Sequence, residues 1–117
     1  MPLTSTDKKC SVNSMENDLF IGWTTCDNQD VAERLANDIV ERKLAACVKL
    51  ESIRSIYRYD GEIHQGSEIR LCIKFTQSKM YEMEAYIRAN HPYKTPEWIV
   101  IKPTFVSKSY LKWAQDV

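Results

Sequence analysis

Residues 90–97, "NHPYKTPE", gather His91, Tyr93, Lys94 and Glu97 around two prolines. An imidazole, a phenol, an ammonium and a carboxylate so close in sequence can serve a metal ion, a small-molecule cleft or only the loop's own backbone. The other groups with chemical potential are His64 and four cysteines, Cys10, Cys26, Cys47 and Cys72. No C-x-x-C pair occurs and the two histidines stand far apart, which is not the spacing of a structural zinc site. The three glycines, Gly22, Gly61 and Gly66, never cluster, so no glycine-rich anion cradle is legible. Nor is a nucleophile seen beside a base.

The 117 residues are one domain's worth of chain, with 44% apolar and 27% charged side chains, as in ordinary globular proteins. Sixteen basic residues balance sixteen acidic ones, so there is no net field to hold a nucleic acid or an anionic membrane. No apolar run approaches the ~20 residues that span a bilayer, and the first residues lack the apolar core of a secretory signal. A cytoplasmic protein without a disulfide framework is expected. Cys47 and Cys72 are then expected as small core side chains, with Cys10 in a loose tail. That tail covers residues 1–17, polar and too poor in apolar groups to repay ordering; the folded domain covers 18–117.

"LFIGWTT" (19–25) reads as a buried strand. Asp27 is positioned to cap a helix whose apolar stripe is Val31, Leu35 and Ile39 with Ala32, Ala36 and Val40. Residues 45–75 hold two strands about Asp60-Gly61, the signature of a type I′ turn with positive φ at both residues. On the return strand Ile69, Leu71, Ile73 and Phe75 alternate with polar residues. The outgoing strand changes parity between Leu50 and Ile53, which predicts a bend or bulge at 51–54. Ser78 is expected to cap a second helix carrying Met80, Met83 and Ile87, ending before Pro92. "WIVIKP" (98–103) gives a last strand, and Val106, Tyr110 and Trp113 a C-terminal helix. The order β-α-β-β-α-β plus a helix is the ferredoxin-like α+β sandwich.

The strand from Cys47 to Tyr59 would reach ~43 Å if straight. A compact domain of this size is only roughly 33 Å across. The hairpin therefore overhangs its own domain, and its tip carries Tyr57, Tyr59 and Ile63. An exposed apolar edge of this kind calls for pairing with another copy of the chain.

Taken in order, "TTCDNQDVAERLANDIVERKLAACVKL", "SIYRYDGEIHQGSEIRLCIKF", "HPYKTPE" and "YLKW" resemble the CutA family, named for divalent-cation tolerance, from about Leu19 to Trp113. The resemblance implies a non-enzymatic homotrimer whose long strands pair between subunits, as in PII signalling proteins, with Tyr57, Tyr59, Ile63 and Trp113 at the interface. It also implies copper or another divalent cation as ligand, with no essential cofactor. The bacterial copper ligands are a cysteine at the end of the first strand and two adjacent histidines. Here the second histidine corresponds to His91, while Asn90 replaces the first. Thr24 stands at the cysteine position, and Cys26 follows two residues later. Asp27, Glu51 and Tyr59 depart from the proline, proline and tryptophan usual in the family. An alternative is a PII-like module that binds a small anion or metabolite between subunits, using Lys74, Tyr93, Lys94 and Glu97. A scaffold that acts only by assembling is a third reading.

Overall fold

The long strand pair predicted from the sequence dominates the shape of the molecule in the computed structural model, which describes residues 17–117. The elements run β1 (Leu19–Cys26), α1 (Gln29–Glu41), β2 (Cys47–Tyr59), β3 (Glu62–Thr76), α2 (Met80–Asn90), β4 (Ile99–Ile101) and α3 (Lys108–Asp116). They form one antiparallel sheet in the order β2-β3-β1-β4. This is the expected ferredoxin-like α+β arrangement. Cys10 and nearly all of the expected tail lie outside the described residues.

One face of the sheet is packed by helices. Ala32, Leu35, Ala36 and Ile39 of α1 and Met83, Tyr86 and Ile87 of α2 meet Leu71, Ile73 and Phe75 of β3. These three β3 residues are fully buried, as their alternation requires. Trp98 lies over Gly22, where a Cβ would come within 2.4 Å of the indole, so only glycine admits this ring. Val40 leaves the expected stripe and is exposed. Tyr86 joins the core by donating its hydroxyl to Asp38 at 2.6 Å.

The helix ends differ in detail from the sequence reading. Asn28, not Asp27, caps α1, accepting from the Val31 N–H at 3.0 Å, because β1 and its turn carry the chain one residue further. At the other end Lys43 adopts φ +61°, and the Leu44 N–H reaches Ile39 O at 3.0 Å. That is a Schellman closure with lysine where glycine is favoured. Ser78 does not cap α2. It lies inside a short 3-10 turn, Gln77–Lys79, with its hydroxyl 3.2 Å from that of Thr76. His91 is extended ahead of Pro92, as expected. In α3 the buried residue is Ala114, and Val106 precedes the helix.

The hairpin turn has φ +57° at Asp60 and +78° at Gly61, as the type I′ reading requires. The predicted bulge at 51–54 is absent: the pairing runs without interruption from Cys47↔Lys74 to Tyr59↔Glu62. Beyond Ser52 the two strands leave the sheet's body as a free ribbon, since β1 ends at Cys26 opposite Ile69. The molecule therefore measures 55 × 29 × 22 Å with a radius of gyration of 16.7 Å. A compact chain of this length would give about 13 Å. Without helices to cover one side, the ribbon carries apolar groups on both: Ile56 and Ile63 on one, Tyr57 and Tyr59 on the other. The parity change records that loss of cover rather than a bulge.

Candidate functional site

The end of β1, the start of the ribbon and the loop at 91–98 converge on one corner of the molecule. The loop is fixed there by His91, which is 8% exposed. Its Nδ1 accepts the Tyr93 backbone N–H at 3.1 Å. A nitrogen that accepts from an amide carries no proton, so Nε2 is the protonated one and donates to the Thr25 carbonyl at 2.9 Å. Cys26 Sγ lies 3.8 Å from the same Nε2 and is wholly buried. The Tyr93 ring closes edge-on against the imidazole, 4.8 Å between centroids.

Burial pushes the Cys26 thiol up to about 11, with help from the negative charges of Asp27 and Glu68 against Arg34. Burial likewise raises the Tyr93 phenol to about 12, again with Asp27 and Glu68. The structure thus unites the two metal-ligand candidates from the sequence, Cys26 and His91. In this arrangement the sulfur is a protonated thiol and both imidazole nitrogens are engaged. Burial disfavours the thiolate that copper would take, and the imidazole lone pair is spent on the Tyr93 amide, so the pair as placed suits the ion poorly and instead pins the loop to β1. Among the described residues no three His, Cys, Asp or Glu side chains lie together as a metal cage.

Outside this latch an open groove of about 770 Å³ runs between the loop and the ribbon. Tyr93 and Glu97 line it, as do Tyr57 and Tyr59 of the ribbon. Thr25, Asp27 and Glu68 join them, with Arg54 the one cation of the lining. Ser55 donates to Glu68 across the ribbon. Two of the lysines expected here are elsewhere. Lys74 lies on the open face of the sheet beside Tyr110, 3.4 Å from its hydroxyl and 5.2 Å from the ring centre. Lys94 is exposed on the loop and takes no part in the lining. The cause is position along the strand: Lys74 shares a face with Glu68 but lies at the end of β3 remote from the ribbon, opposite Cys47.

Of the other interface candidates, Tyr57 stacks on His64 at 5.7 Å and Tyr59 meets the same ring edge-on at 5.9 Å. Ile63 is 65% exposed on the far side of the ribbon. Trp113, half-exposed on α3, packs against Tyr110 at 5.4 Å. Asp27, Glu68, Arg54 and Thr25 had no sequence signal as site residues. The β1–β3 and β2–β3 registers alone bring them together.

Comparison with known proteins adds an independent line. The family model described as "CutA1 divalent ion tolerance protein" matches residues 20–117. A protein CutA homolog of Xenopus laevis is 39% identical over 85% of this chain and 66% of its own length. The divalent-cation tolerance protein CutA of Pectobacterium atrosepticum is 37% identical over 82% of this chain and 88% of its own. The chain matches only 54% of the length of the chloroplastic Arabidopsis thaliana and the mouse relatives. Among solved structures, CutA from Synechococcus elongatus superposes with a TM-score of 0.82 at 33% identity, covering 85% of this chain and 88% of that one.

Proposed function

This chain belongs to the CutA family of divalent ion tolerance proteins, and from that membership we propose that it works in divalent-metal tolerance as a non-enzymatic, cytoplasmic homotrimer. The observation that carries assembly is the two-faced ribbon. Ile56 is 72% and Ile63 65% exposed on one side, Tyr59 66% and Tyr57 50% on the other. Among the described residues, a single copy has no element that covers either side. A neighbouring copy would cover both, and the resemblance to the family supports three copies.

The groove then closes between subunits, because Tyr57 and Tyr59 line it and belong to the same ribbon. Its charged lining is Asp27, Glu68 and Glu97 against Arg54, which favours a cation over an anion. With Lys74 and Lys94 elsewhere, the anion-sensing reading loses the charges it needs. Within the latch itself, burial disfavours the Cys26 thiolate and both His91 nitrogens are engaged, so this pair offers neither an activated nucleophile nor a free base.

Light scattering on the purified full chain at micromolar concentration tests the assembly. A mass of three chains is expected; a stable, folded single subunit overturns it. Thermal shift then tests the ligand, since whatever binds only the folded state raises the apparent transition. Copper and zinc ions are expected to raise it in a Cys10→Ser background, with nucleotides and phosphate having no effect. The reverse pattern overturns the cation reading.

A further inference from the structure

The helix layer has a groove of its own, about 520 Å³ in volume, lined only by residues of α1 and α2. It shares no residue with the groove at the ribbon, and assembly through the ribbon makes no use of it. Its floor is fixed by a bond between the helices. Tyr86 is 6% exposed and donates its hydroxyl to one oxygen of Asp38 at 2.6 Å. Arg42 donates to the other oxygen at 3.2 Å and lies over the Tyr86 ring, 5.5 Å from its centre. The Asp38 carboxylate is thus already neutralised.

Two amides in the lining are turned by the backbone. Asn37 donates its side-chain nitrogen to the Glu33 carbonyl at 2.9 Å, and Asn90 donates to the Tyr86 carbonyl at 3.0 Å. With the nitrogen held in this way, each side-chain oxygen is left as an acceptor.

A charge then stands at either end. Arg34 and Glu41 both line the groove, two turns apart on α1, so ~10 Å along its axis. Among the described residues neither forms an ion pair. Glu41 sits in the last turn of α1, which holds no basic residue and where the helix carbonyls already make the potential negative. A carboxylate at that position suits an incoming cation better than it suits the helix. Arg34 marks the opposite end. Its charge opposes the rise of both the Tyr86 phenol and the Cys26 thiol, and Cys26 touches His91, the residue after Asn90. Arg34 and Asn90 therefore share one end, and Glu41 and Asn37 lie toward the other.

We propose that this groove binds a free α-amino acid with a cationic side chain, of which L-arginine is the type. The α-carboxylate takes the forked N–H groups of Arg34. The α-ammonium donates to Asn90 Oδ1 beside it. The side-chain cation reaches Glu41 and Asn37 Oδ1, with its methylenes lying over the Tyr86–Asp38 floor. A short neutral amino acid does not span the two charges, and an acidic one sets a second anion against Glu41. The volume falls within the roughly 300–1,000 Å³ usual for small-molecule sites.

An amide NMR titration of the full chain with L-arginine tests this. Saturable shifts are expected at Arg34–Glu41 and Tyr86–Asn90, with a dissociation constant of roughly 0.1–1 mM, because ion pairs at an open surface are weak. Agmatine, which lacks the carboxylate, and L-alanine, which lacks the second charge, are expected to bind at least about tenfold more weakly. Arg34→Gln and Glu41→Gln are each expected to weaken L-arginine by about tenfold, with solution mass and circular dichroism unchanged, since both side chains are exposed. Arg34→Gln is expected to leave the weaker agmatine binding as it was, a selectivity that a general loss of structure does not give. No saturable shift up to about 10 mM L-arginine, equal binding of agmatine, or undiminished affinity in both variants overturns the proposal. None of these results depends on whether metal ions bind at the ribbon groove.

Discussion

The body of the molecule and its ribbon are made from the same two strands, yet they obey different rules. In the body, Leu71, Ile73 and Phe75 alternate strictly with polar residues because helices cover one face and leave the other open. In the ribbon, Ile56 and Ile63 occupy one side and Tyr57 and Tyr59 the other, under the same unbroken register. Alternation is thus a property of cover, not of the strand. Where it lapses without a bulge, both faces lack cover within the described residues, and the proposed assembly would supply it from another copy of the chain.

The largest effect sharpens this contrast directly. Phe75→Ala is expected to cost about 3–5 kcal/mol by denaturant unfolding, at every protein concentration, since it opens a cavity in the body's core. The double change Ile56→Asp and Ile63→Asp is expected to leave the unfolding of the isolated subunit nearly unaltered. It abolishes assembly in light scattering instead. If the ribbon variant destabilises the dilute subunit as strongly as Phe75→Ala, the division into body and ribbon fails.

The buried thiol comes next. Cys26 prefers its neutral form in the fold, with its titration moved from 9.0 to about 11 by burial and then by Asp27 and Glu68. A raised folded value means the stabilisation is complete below the unfolded titration and lost as pH climbs through the folded one. Thermal unfolding is therefore expected to weaken between about pH 9 and 11, by on the order of 2–3 kcal/mol. Cys26→Ala removes the part of the slope between about pH 9 and 10, below the range of the raised Tyr93 and Tyr86 phenols; a slope unchanged there in the variant would refute the assignment.

His91→Ala breaks the latch that holds the loop at the junction of body and ribbon. Leaving the Thr25 carbonyl and the Tyr93 amide without partners is expected to cost about 1–3 kcal/mol and to speed proteolytic cutting at 91–97. Copper affinity is expected to stay the same by calorimetry, because the imidazole is engaged on both nitrogens. A marked fall in affinity returns His91 to the ligand set. The smallest effect is a gain: Lys43→Gly, at φ +61°, is expected to stabilise the body by ~1 kcal/mol without touching assembly.

Much of this could be read in the chain itself. The element order, the positive φ pair at Asp60-Gly61, the stop before Pro92 and the overhang of the hairpin all follow from local patterns and strand length. These are decided within a few residues, or by reach alone. The two expected helix caps differ for separate reasons: Asn28 rather than its neighbour Asp27 caps α1, and a 3-10 turn runs into α2, whose N-cap position Lys79 makes no side-chain cap bond. The strand's exit point decides the first and the short 3-10 turn the second.

What the tertiary structure alone decided is which side chains meet. His91 reaches Cys26 and Thr25 across a gap of 65 and 66 positions. Glu68 comes to the groove and Lys74 does not, although six residues of one strand separate them. Cys47 and Cys72 stand half-buried on the open face rather than in the core, because the register turns them to the side away from Leu71 and Ile73. Sequence fixes the direction of each side chain relative to its own strand, since the backbone repeats every two residues. Convergence depends on where strands begin, end and pair, and those choices are settled by packing between segments far apart in the chain.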